Sequence, residues 1–119
     1  MKIDPVSKNW IKSHKYCVIS TCSDNIPWSA TVDYTCNKDY NVLISTNPMS
    51  LKYKNISINP TVCLVIDCQD RNGTLQIQGV AKLIDGKPFA EPNLLVKPTF
   101  MIFKKKNEET HILTVIQSE

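Results

Sequence analysis

The chain has 119 residues, 42% of them apolar, and a net charge of +3, which is room for one domain with a real core and too little for two. It contains no low-complexity stretch and no internal repeat, which sets aside disordered and solenoid classes. The longest apolar runs, such as Val62-Cys63-Leu64-Val65-Ile66, are far too short to span a bilayer, and the first residues lack an apolar signal core, so a cytoplasmic protein with no membrane attachment is expected.

Asp4-Pro5 supplies an N-cap and an N1 proline ahead of Val6, Trp10 and Ile11, whose spacing predicts a short leading helix. A first strand is expected over 16–21, closed by the turn formers Ser23-Asp24-Asn25, and a second over 27–36, ending in Asn37-Lys38-Asp39. A third over 40–46 completes a meander. It stops at Ser45-Thr46-Asn47-Pro48, and Ser50 then caps a helix reaching residue 58. Asn59-Pro60 ends that helix, and 61–67 returns as a continuous apolar strand.

After a turn over 70–73, residues 74–84 alternate with a period of two, and Gly79 marks a bulge or a close backbone approach. A link over 85–97, carrying Pro88 and Pro92, leads to a last hairpin of 99–105 with 111–116. Lys104-Lys105-Lys106 followed by Asn107-Glu108-Glu109 forms its tip. Seven strands and two short helices predict a mainly β chain, an antiparallel barrel with helical decoration.

Five cysteines (Cys17, Cys22, Cys36, Cys63, Cys68) cannot all pair, and none of their spacings is CxxC. Reduced thiols acting as small strand hydrophobes are expected, and no metal site. Arg71 is the only arginine among the 14 basic residues. Reading DNA bases draws on arginine's bidentate fork, so no nucleic-acid partner is expected.

The stretch 43–67 is the most informative. Around the start of its helix it gathers the hydroxyls of Ser45, Thr46 and Ser50, the backbone N–H groups of a first turn, and Lys52. Orphan donors and the positive end of the helix dipole both favour an anion there, and a phosphate monoester suits the set. With Ile26-Pro27-Trp28-Ser29-Ala30-Thr31-Val32-Asp33-Tyr34 upstream and Gln78-Gly79-Val80-Ala81 downstream, roughly residues 16–84 resemble the pyridoxamine 5'-phosphate oxidase-like FMN-binding split-barrel family.

The resemblance implies an antiparallel split β-barrel, bound FMN, and a homodimer with flavin sites at the interface. It implies that Ser45, Thr46 and Asn47 lie beside the flavin phosphate and that Ser50 and Lys52 clamp it. It also implies that the backbone of Ser29, Ala30, Thr31 and Val32 runs along the isoalloxazine ring. Trp28 and Tyr34 are expected in the core, at a subunit interface, or over the ring.

Two departures stand out. Leu51 occupies a position where the family often has arginine, which removes a fork-shaped donor and predicts weaker FMN binding. The residues 111–119 lack the arginine and histidine grip of true pyridoxamine phosphate oxidases, so that substrate is not expected. The expected activity is a small FMN-dependent oxidoreductase moving electrons or hydride between a nicotinamide nucleotide and an unidentified small molecule. The alternative is a non-catalytic protein that binds, stores or senses FMN or a related ligand. No hydrolytic triad or carboxylate pair is apparent, and no particular catalytic residue is assigned.

Overall fold

The computed structural model describes residues 3–67, 73–84 and 92–105. The chain begins with α1 (Pro5–Ser13). Asp4 caps it, its carboxylate accepting from Ser7 N at 2.9 Å, with the proline at the first turn where no backbone donor is needed. Then come β1 (Tyr16–Ser23), β2 (Ile26–Asp33), β3 (Thr35–Cys36) and β4 (Val42–Ser45). After α2 (Leu51–Ile58) lie β5 (Thr61–Asp67), β6 (Gly73–Ile84) and β7 (Asn93–Lys105).

The strands form one antiparallel seven-stranded sheet in the order β2-β1-β5-β6-β7-β4-β3. Its two outermost strands, β2 and β3, are consecutive pieces of chain separated only by Tyr34. A sheet whose opposite ends are joined by one residue must curl onto itself, and the result is the expected split barrel. Ile19, Leu64, Ile66, Leu75, Ile77 and Met101 are wholly buried inside it. Each such side chain contributes about 1.5–3 kcal/mol by leaving water.

Three expectations need correction. Residues 27–36 do not make one strand, because Tyr34 turns into the core, where its hydroxyl donates to Ile11 O at 2.6 Å and splits the strand into β2 and β3. The expected meander of the second and third strands therefore survives only at 35–36, where β3 pairs with β4; β2 does not pair with β4, whose other neighbour is β7. Nor is the sixth predicted strand confined to 99–105, since β7 begins at Asn93 and runs through Pro98.

A mid-strand proline is tolerated there because the ladder is already broken. The register passes from Gln78↔Phe100 to Gly79↔Pro98, leaving Thr99 as the extra residue, and Thr99 Oγ1 donates to Gln78 O at 3.1 Å. Gly79 is the glycine this bulge requires: a Cβ there would stand 2.7 Å from Lys97 O. The expected turn over 70–73 falls mostly outside the described residues, as does the strand over 111–116.

Candidate functional site

The site begins with the hairpin of β1 and β2. Asp24 and Asn25 both have positive φ (53° and 64°), the two-residue turn that matches strand twist, and it closes on the pair Ser23↔Ile26. From that closing pair the hydrogen-bonded positions of β2 are the even ones: 26, 28, 30 and 32. Tyr34 N donating to Lys15 O at 2.9 Å continues the same phase. The odd residues Pro27, Ser29, Thr31 and Asp33 turn their main-chain groups away from β1, toward an edge with no strand partner among the described residues. Pro27, lacking an N–H, sits in this phase.

The wall opposite that edge is set by β3. It pairs with β4 as Thr35↔Leu43 and Cys36↔Val42. Carrying the register two and four residues further sets Asp33 across from Ser45 and Thr31 across from Asn47. The ladder ends before it gets there, although β2 and β4 still approach one another. The split is thus a slot walled by the free edge of β2 on one side and by the end of β4 on the other.

The chain leaves β4 directly into α2. Asn47 Oδ1 accepts from Met49 N at 2.8 Å, and Ser50 Oγ donates to Asn47 O at 2.7 Å while accepting from Tyr53 N at 3.3 Å. Ser50 is the N-cap that the sequence predicts. The N–H groups of Leu51 and Lys52 make no hydrogen bond among the described residues. Thr46 is buried, 1% exposed, and its hydroxyl has no partner among the described residues. A buried unpaired hydroxyl is costly, so an occupant that could bond it would be stabilised. Asn55 Nδ2 donates to Thr21 Oγ1 at 3.0 Å and ties α2 to β1; neither residue stands out in the sequence, because the pair is 34 positions apart.

Of the residues singled out by sequence, Ser45, Thr46, Asn47, Ser50 and Lys52 therefore cluster at the junction of β4 and α2. Ser29 and Thr31 offer free main-chain groups, whereas Ala30 and Val32 are bonded to β1 and pack half-buried against the core. Ser29 Oγ also bonds Ser20 Oγ at 2.8 Å on the outer face. Tyr34 is a core residue, and Trp28 remains 48% exposed. Leu51 is likewise exposed, on the first turn of α2.

Three of the four described thiols, those of Cys17, Cys36 and Cys63, are poor nucleophiles. Burial pushes Cys17 up to about 12 and raises Cys63, and it raises Cys36 despite the nearby Lys12 ammonium, which pulls the other way. Among the described residues no group of three or more metal-ligating side chains is assembled, and no helix is long and apolar enough to cross a membrane.

The fold has clear counterparts. General stress protein 26 from Bacillus anthracis superposes with a TM-score of 0.72 at 16% identity, over 89% of this chain and 95% of that one. A pyridoxamine 5'-phosphate oxidase-related, FMN-binding protein from Nostoc punctiforme gives 0.71 at 13% identity, over 92% and 89%. An FAD-binding protein from Mycobacterium smegmatis gives 0.68 at 19% identity, over 87% and 97%. A search of curated proteins returned no match. The sequence profile described as pyridoxamine 5'-phosphate oxidase matches residues 3–112. With the split barrel, the profile and these counterparts in agreement, the chain belongs to the pyridoxamine 5'-phosphate oxidase family.

Proposed function

We propose that this chain binds FMN in the slot between β2 and β4, and that it is a small oxidoreductase passing electrons or hydride between a nicotinamide nucleotide and a small molecule. The observation that carries the reading is the meeting, at the junction of β4 and α2, of a buried unpartnered Thr46 hydroxyl with the two free N–H groups of Leu51 and Lys52. Ser50 holds the turn in shape, its own proton committed to Asn47 O, and the Lys52 ammonium adds charge. Together they suit a dianionic phosphate.

The free edge at Ser29 and Thr31 offers N–H donors and carbonyl acceptors to the polar rim of a flat ring, with Ala30 and Val32 fixing the strand from behind. A bound flavin supplies the electron and hydride chemistry, while the protein orients it and sets its electrostatic surroundings. The FMN-binding relative from Nostoc punctiforme supports the cofactor, and the FAD-binding one from Mycobacterium smegmatis supports flavins more broadly.

A homodimer belongs to the same reading. On the outer face of the sheet Val18, Val65, Ile102 and Phe100 are only half-buried and Val80 is 45% exposed. A second copy laid on that face would cover them.

Leu51 favours a second reading, a flavin carrier or sensor with modest affinity, because the first turn of α2 carries an exposed alkyl group in place of a forked cation. Anaerobic mixing of FMN-loaded protein with NADH and with NADPH separates the two. Bleaching followed by transfer to an acceptor supports the oxidoreductase, and an unbleached flavin selects the carrier. Efficient conversion of pyridoxamine phosphate in the acceptor panel would overturn the exclusion of that substrate.

A further inference from the structure

A second concavity lies apart from the slot, beside α1. An open cleft of about 670 Å³ lies between the end of α1 and the β2–β3 break, walled by Lys12, His14 and Lys15 on one side and by Asp33, Tyr34 and Cys36 on the other. Its walls come from pieces of chain about 20 residues apart, so no sequence motif announces it.

The lining is built rather than incidental. Tyr34 is anchored by its bond to Ile11 O, which fixes the floor. The His14 ring stacks on Trp10 with centroids 4.3 Å apart, and its Nδ1 lies 2.8 Å from Trp10 O. A carbonyl can only accept, so Nδ1 carries the proton; Nε2 has no protein partner among the described residues and is left for a ligand. Lys12 Nζ is held 5.1 Å above the Tyr40 ring, which limits its freedom before anything binds.

The charged groups facing the cleft are Lys12, Lys15 and His14 from α1 and its exit, and Asp33 from β2. Two ammoniums against one carboxylate leave a positive balance even with His14 neutral. The volume is far beyond an inorganic ion and falls within the range of small-molecule pockets, about 300–1,000 Å³. Tyr16, 63% exposed, contributes an aromatic wall, with the buried Ile11 and Tyr34 beneath the cleft. We infer that this cleft is a second binding site, separate from the β4–α2 junction, for a small organic anion whose phosphate or carboxylate meets Lys12 and Lys15 while its carbon skeleton rests against the exposed ring of Tyr16. A bound flavin is not required for it.

The test is an amide NMR titration of the flavin-free chain with phenyl phosphate and with benzoate, using benzyl alcohol as the neutral control. Saturable shifts are expected at His14, Lys15, Thr35 and Cys36 with one or both anions and not with the alcohol. Lys12→Gln combined with Lys15→Gln should weaken the anion about tenfold, whereas Lys12→Arg with Lys15→Arg should retain it and Lys52→Ala should leave it unchanged. Shifts confined to residues 50–53 would assign phenyl phosphate to α2 and overturn the second site. So would an absence of saturation, or an affinity unmoved by the double glutamine variant.

Discussion

The two helices open in the same way and serve opposite ends. Each has a side-chain N-cap and no acidic residue in its first turn. In α1 the cap is the carboxylate of Asp4, which satisfies Ser7 N and neutralises the positive end of the helix. The rest of α1 is fastened to the barrel: Ile11 is 1% exposed, Trp10 Nε1 donates to Ile66 O at 2.9 Å, and Tyr34 donates to Ile11 O. In α2 the cap is the neutral Ser50, Lys52 adds a positive charge, and only Ile56 is buried while Leu51 and Ile58 stay exposed. One helix spends its N-terminus on holding the fold; the other keeps donors open. A cap's charge, taken together with the residues of the first turn, thus separates a structural helix start from a candidate anion site.

The comparison is broken most forcefully at Ile11. Ile11→Ala should cost about 2–5 kcal/mol in chemical denaturation, because a fully enclosed side chain leaves a cavity, whereas Leu51→Ala should stay within about 0.5 kcal/mol. Equal losses would mean that α2 is as deeply fastened as α1.

Alkali should act on the α1 side as well. Burial lifts Cys17 from 9.0 to about 12, so the unfolded chain gives up this proton before the folded one does. The contribution is complete below pH 9 and is lost as pH rises toward about 12, at about 1.4 kcal/mol per pH unit. Tyr34 adds to it with the same sign, raised first by burial and then by Cys17 and Cys36. Urea midpoints measured across that range should fall with pH, and Cys17→Ala should flatten the slope. A flat wild-type profile would contradict the buried, neutral thiol.

The caps sharpen the contrast at smaller cost. Asp4→Ala should lower stability by about 1 kcal/mol and leave FMN affinity alone, while Ser50→Ala should cost a similar or smaller amount and weaken FMN. Smaller still in stability is Leu51→Arg, expected to change it by under about 0.5 kcal/mol. That variant should tighten FMN several-fold in calorimetry by restoring a forked donor beside the free N–H groups.

Much of this was legible from local chemistry. The Asp4-Pro5 and Ser50 helix starts, the extent of β5 and the irregularity at Gly79 are all written in short-range residue preferences, and the structure carries each of them. The features that escaped depended on distant partners. Tyr34 breaks a strand because of a carbonyl on α1, 23 positions away. Pro98 passes through a strand because the bulge opposite Gly79 needs no donor there. At the candidate site the residue types at 45–52 pointed to an anion, yet the free edge of β2 emerged only once its register with β1 was fixed, and the cleft beside α1 only once Lys12 and Cys36 came together.

The most direct measurement of the central claim is isothermal titration of FMN and of riboflavin into the wild-type chain and into Lys52→Ala. The two ligands share the ring and differ in the phosphate, so a phosphate seated at Thr46, Ser50 and Lys52 predicts that the variant loses about tenfold or more for FMN and almost nothing for riboflavin. Equal losses for both ligands, or none for either, would contradict that placement and move the phosphate away from α2.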